Sequence, residues 1–237
     1  MREMHGVLSL CDLLFFESTL ANMLPTSGYD EWHPVSKTKK QMAPNGLGWI
    51  IIDALDTMML MNLTTQISHA RQWISTVLTW EQDQDVNTFE TTIRMLGGLL
   101  SAHYLQQELN IKPDDGNEDL YIERATDLAE RLLGAYETTS GIPMASVHLK
   151  TTAGIPSHAD GGASSTAEAG TLQLEMKYLA GLTGQINYWI KAEKAIQAID
   201  NNKAKDGLVP IFIYAHNGEF RGQEIRMGSR GDSYYGQ

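Results

Sequence analysis

The chain has 237 residues, 42% apolar and 20% charged, enough for one sizeable hydrophobic core or two small ones. Its 18 basic and 29 acidic residues leave a formal charge of −11, which argues against nucleic-acid binding through a basic face. The single cysteine, Cys11, cannot form an internal disulfide.

The first stretch, "MHGVLSLCDLLFFESTLANML", is strongly apolar, but Asp12 and Glu17 interrupt it before the roughly 18 apolar residues of a membrane span accumulate. Arg2 is offset by Glu3, a weak charged start for a leader peptide. Residues 1–28 therefore read as an N-terminal extension, amphipathic or irregular, with no clear membrane segment. Residues 47–61, "LGWIIIDALDTMMLM", are apolar nearly all round and predict a helix buried on most sides. Asp53 and Asp56 within it read as structural acids that accept hydrogen bonds from neighbouring elements. Asn62-Leu63-Thr64 is an N-glycosylation sequon, which fits a secretory protein but arises often by chance.

Residues 65–80 and 186–200 read as amphipathic helices. Three apolar stripes at helical spacing predict further helices. They are Phe89, Ile93, Leu96, Leu100 and Tyr104; Tyr121, Ala125, Leu128, Leu132 and Tyr136; and Leu172, Leu174, Tyr178, Leu179 and Leu182. Residues 138–165 lack helical period, and long irregular stretches in a compact domain tend to be functional. In "GLVPIFIYAHNGEF" the apolar run and Asn217-Gly218 predict a short β-hairpin. The helices number about seven, joined by Gly-, Pro-, Ser- and Asp-rich loops. No composition break marks a linker, so the pattern reads as one all-α domain of α/α type. A solenoid of helical hairpins competes with that picture, although no fixed-period repeat is visible.

Three acids recur at helix starts. Asn87-x-x-Glu90, Ser165-x-x-Glu168 and Ser229-x-x-Asp232 each have capping-box spacing. Singly, each acid reads as a cap partner. Together they read differently, because each has a further polar partner: Arg94 one turn after Glu90, Glu175 two turns after Glu168, and Arg230 just before Asp232. If alternate helices line a barrel, their N-termini converge at one mouth. Paired carboxylates are what glycoside hydrolysis requires, and arginines hold sugar hydroxyls and keep carboxylates ionised. The seven histidines show no zinc-ligand spacing, and "NGLGW" is too short for a nucleotide-binding loop.

The blocks "DEWHPVSKT", "GLGWIIIDALDTMMLM", "VNTFETTIRMLGGLLSAHYL", "SSTAEAGTLQLEMKYLAGLTG" and "DGLVPIFIYAHNGEF…MGSRGDSYY" resemble, in order, those of the class I α-1,2-mannosidases, glycoside hydrolase family 47. The likeness is nearest to the fungal endoplasmic-reticulum branch. It implies residues 29–237 as part of an (α/α) barrel of seven hairpins, inversion at the anomeric carbon, dependence on Ca2+, high-mannose N-glycans as partners, and a place in the endoplasmic reticulum or Golgi lumen. It implies Glu90 and Asp232 as catalytic, and Arg94, Glu168 and Arg230 as substrate-binding. The family domain is about twice as long as this chain. The family's catalytic-base glutamate and its calcium-binding threonine fall beyond the part spanned here. Gly236 stands where the family usually has Glu. The resemblance thus implies an incomplete, inactive portion of a glycosidase, the alternative being a non-catalytic, mannose-binding quality-control module of the same family.

Overall fold

The computed structural model describes residues 28–33, 35–203 and 206–236, so that Cys11 and nearly all of the N-terminal extension lie outside the described residues. In chain order the elements are β1 (Glu31–His33), β2 (Thr38–Lys40), α1 (Trp49–Asp53), α2 (Leu55–Leu60), α3 (Thr64–Thr76), β3 (Asp85–Asn87) and α4 (Thr88–Glu90). A π-helical turn (Thr91–Leu96) continues α4 into α5 (Gly97–Glu108). Then come α6 (Leu120–Leu132), β4 (Ser146–His148), β5 (Gly154–Ile155), β6 (Ala163–Ser165), α7 (Thr166–Thr171), α8 (Gln173–Thr183), α9 (Ile186–Asn202), β7 (Phe212–Tyr214) and α10 (Asp232–Tyr235). Helices dominate, as expected, but the irregular stretch 138–165 contributes strands to two small antiparallel sheets, β3-β4-β5 and β6-β7. The expected hairpin forms in part. Tyr214 N–H reaches Glu219 O (2.9 Å) and Arg221 N–H reaches Phe212 O (2.9 Å), but the regular ladder of β7 is with β6, Ser164 facing Ile213.

The α6 stripe is buried as its spacing predicts: Tyr121, Ala125, Leu128, Leu132 and Tyr136 all lie in the main core. The stripe from Phe89 does not hold its phase. Met95, Leu96, Leu99 and Leu100 are buried, whereas Tyr104 is exposed. The π turn supplies the reason, because its wider winding rotates every later side chain relative to an α-helical reading. The third stripe fails for a different reason. Leu172 and Leu179 are buried, but Leu174, Tyr178 and Leu182 stand exposed. Leu174 and Tyr178 line an open groove of about 460 Å³ against Gly97, Leu100 and Tyr104 of α5.

The apolar segment 47–61 is two short helices that meet at Ala54, not one. Ile52, Leu55, Met58 and Met59 face the core, while Asp53 and Leu60 are exposed. Gly98 permits the close approach of α5 to α1, since a Cβ there would stand 2.7 Å from the Ile52 carbonyl oxygen. A second, smaller core gathers Ile142, Ala169, Ile199, Val209, Ile213 and Ala215 beneath the β6-β7 pair. Among the described residues no helix is long and apolar enough to cross a membrane.

Candidate active site

Two local units are built alike. In the first, β3 runs straight into α4. Asn87 keeps extended backbone angles and its side-chain oxygen accepts from Glu90 N–H at 2.7 Å. Thr88 anchors the start of the helix, its N–H donating to Ala145 O and its hydroxyl to Met144 O, both at 2.9 Å. In the second, β6 runs into α7. Ser165 Oγ accepts from Glu168 N–H at 3.3 Å, and Thr166 donates its N–H to Ile211 O (3.0 Å) and its hydroxyl to Pro210 O (2.6 Å). The cap-Thr-x-Glu order thus does the same work twice. The threonine ties the strand–helix junction to a neighbouring segment, and the glutamate sits in the first turn, where the helix dipole favours a negative charge by about 0.3–1 kcal/mol.

The units meet through side chains. Arg94 donates from Nε to Glu90 Oε2 at 2.8 Å, and another guanidinium nitrogen lies 3.7 Å from Asp53 Oδ2 at the end of α1. These three groups are each about two-fifths open to solvent, within reach of a ligand. The hydrogen bond to Glu90 raises the Arg94 pKa further above its already high value, so the guanidinium stays charged. Thr88 and Phe89 of the first unit and Ser164 and Glu168 of the second line one small cavity. Burial pushes the Glu168 pKa above the ordinary carboxylate range; the Asn87 side chain and Arg230 oppose that rise, whereas Glu90 and Asp160 add to it. Arg230 binds Asp160 Oδ2 at 3.2 Å and lies over the Phe212 ring, 4.9 Å from its centre. Its backbone is left-handed at φ 74, uncommon for a residue other than glycine and held here by Ala167 N–H, which donates to Arg230 O at 2.9 Å.

Four of the five residues singled out from the sequence, Glu90, Arg94, Glu168 and Arg230, therefore fall into one electrostatically linked group. Asp232 stands two residues beyond Arg230 at the start of α10, exposed, its Oδ1 accepting from Ser233 N–H at 3.0 Å. The Ser229 capping box does not form, because Gly231 occupies the N-cap position. Glu175 is not a partner of Glu168: it packs beside Gly97, with one carboxylate oxygen buried and unbonded. Asp53 and Asp56 also depart from the structural reading. Asp53 joins Arg94, and Asp56 accepts from its own neighbour Thr57 (2.5 Å to the N–H) rather than tying elements together. Asn87 and Asp160 belong to the group without having been singled out. Asn87 was legible only as a cap, and Asp160 lies in a loop without pattern. Among the described residues no group of three or more His, Cys, Asp or Glu side chains could hold a metal ion.

Comparison with known proteins identifies the family. Residues 25–236 match glycosyl hydrolase family 47. The chain is 52% identical over 208 residues to a mannosyl-oligosaccharide 1,2-alpha-mannosidase of Candida albicans, covering 88% of this chain and 35% of that protein. It is 46% identical to an endoplasmic reticulum mannosyl-oligosaccharide 1,2-alpha-mannosidase of Saccharomyces cerevisiae, covering 88% and 40%. A solved alpha-1,2-mannosidase from Trichoderma reesei superposes with a TM-score of 0.79 at 29% identity, covering 92% of this chain and 48% of that one. The chain thus spans less than half the length of each of these relatives. With the match running over nearly all of its described residues, the chain belongs to glycosyl hydrolase family 47.

Proposed function

We propose that this chain is part of an inverting glycoside hydrolase that removes α-1,2-linked mannose from high-mannose N-glycans in the lumen of the endoplasmic reticulum or Golgi. The observation that carries the reading is the set Asp53–Arg94–Glu90 and Glu168–Arg230, with Glu90 and Glu168 in the first turns of capped helices, in a chain of this family. Residues 29–237 form part of its catalytic domain, an (α/α) barrel of seven hairpins when whole, and residues 1–28 are an extension to it.

Inversion needs an acid on the leaving-group side and a base that activates water on the other, about 6.5–9.5 Å away. Glu90 is the acid. Arg94 fixes one of its carboxylate oxygens at 2.8 Å, orients the plane of the group, and leaves the other oxygen to deliver a proton to the glycosidic oxygen, directly or through water. Glu168 and Arg230 hold sugar hydroxyls, the raised Glu168 pKa suiting it to donate as well as accept. Asp232 acts from the rim of the same site. The base is supplied by the portion of the family domain outside this chain. Calcium, which in the family holds sugar hydroxyls, would by the resemblance be held by a threonine of that portion, and no step here runs through it.

The test is a chimera in which residues 29–236 replace the matching part of the Candida albicans relative. It is expected to release mannose from a high-mannose glycan, and Glu90→Gln to lower the rate by about 10²–10⁴-fold. Glycan binding without hydrolysis by the unmutated chimera would favour a non-catalytic binding module instead.

A further inference from the structure

Asn62 lines a groove that includes none of the acid-group residues. It is exposed, in the turn between α2 and α3, with φ 55. Backbone bonds alone make that turn: Asn62 N–H donates to Met59 O (3.1 Å), Leu63 N–H to Met58 O (2.9 Å) and Thr64 N–H to Asn62 O (3.0 Å). Leu63 is buried and pins the turn, while Thr64 is exposed. Neither side chain that defines the sequon is needed for packing. Asn62 and Thr64 border an open groove of about 390 Å³ whose lining mixes apolar residues such as Ile67 and Leu109 with polar ones such as Ser68, Asn110 and Asp114, which leaves room for a bulky polar substituent. Asp53, which meets Arg94, lies nine residues earlier. Asp53 closes α1, whereas Asn62 follows the end of α2 in the turn before α3.

We propose that Asn62 carries an N-linked glycan. The inference rests on the lumenal location proposed above. The donor is a polyprenyl-pyrophosphate-linked oligosaccharide, used by a membrane transferase on the chain before it folds. The Asn62 amide nitrogen attacks the anomeric carbon of the first N-acetylglucosamine. An N–C bond forms, the bond from that carbon to the phosphate oxygen breaks, the polyprenyl pyrophosphate leaves, and the amide gives up one proton. The Thr64 hydroxyl is the recognition element of the acceptor.

The experiment expresses the full chain behind a cleavable secretory leader in a eukaryotic host and recovers leader-processed protein from the lumenal fraction. Peptide mapping after removal of N-glycans by amidase should find Asp in place of Asn62. Thr64→Ala should lose that conversion and Thr64→Ser keep it, neither substitution disturbing a packed group. Leader-processed lumenal protein with unmodified Asn62 overturns the proposal, as does conversion that survives Thr64→Ala. Mannose release is not part of the readout, so failure of the glycosidase reading and failure of this one are told apart.

Discussion

At the scale of single residues, the site depends on which acids are reachable and which are merely enclosed. Glu175 is the contrast to Glu90. Burial raises its pKa, one of its carboxylate oxygens is buried without a partner, and no cation balances it. Its folded-state pKa therefore exceeds the unfolded value of about 4.5, and the folded chain binds more protons between those two values. Stability falls as pH rises through that window and stays lowered above it. Glu175→Gln should therefore raise Tm at pH 7, by about 2–4 °C for each kcal/mol recovered, and the gain should vanish below the ordinary carboxylate range. Thermal unfolding of both forms at pH 4 and pH 7 checks it; an equal difference at the two values would refute it. Arg71 is the opposite case, a buried cation fully used. It bonds Asp115, Gln106 and the Asn117 carbonyl, and it holds the Asp115 carboxyl below its usual range. Arg71→Ala should cost about 1–3 kcal/mol by leaving those acceptors unpaired, as denaturant unfolding would show.

At the scale of elements, the capping signals were legible in the sequence because they are local. Asn87 and Ser165 cap as their spacing predicts, and Asn87→Ala should cost about 0.5–2 kcal/mol of stability. It should also raise the Glu168 pKa further, since the side chain that lowers it is lost. Carboxyl titration followed by NMR would register that shift. The double glycine after the π turn separates two roles that sequence alone cannot. A Cβ on Gly97 meets nothing closer than 3.6 Å, so Gly97→Ala should be neutral or stabilising by up to about 1 kcal/mol through helix propensity. A Cβ on Gly98 meets the Ile52 carbonyl at 2.7 Å, so Gly98→Ala should destabilise by about 1–3 kcal/mol. Denaturation midpoints of the two variants give the comparison. The stripe from Phe89 misled for a separate reason. The π turn within it resets the helical phase, and no single-residue preference announces it.

At the scale of the whole molecule, the exposed apolar side chains Leu174, Tyr178 and Leu182 of α8 and Tyr104 of α5 show helix faces that nothing among the described residues covers. The solved Trichoderma reesei relative is about twice as long as the matched region. Residues 1–237 alone should accordingly release no mannose above background, because a glycosidic inversion with an acid and no base loses about 10²–10⁴ in rate. Calcium-dependent turnover by the 237-residue chain, abolished by Glu90→Gln, would overturn this and make Asp232 the first candidate base.

The sequence by itself determined the local features: two capped helix starts with their acids, the buried stripe of α6, and the Glu90–Arg94 pair one turn apart. Each depends only on residues within a few positions of one another, whose geometry the backbone repeat fixes. Only the tertiary structure decided that Asp53 faces Arg94, that Thr88 and Glu168 line one cavity, that Asp160 holds Arg230, and that Glu175 is apart from them. Those contacts join residues tens of positions apart. They exist because each strand–helix junction is tied to a distant segment, Thr88 to Met144 and Ala145 and Thr166 to Pro210 and Ile211, while Ser164 donates to Pro143 O between them, a long-range arrangement that no periodicity records.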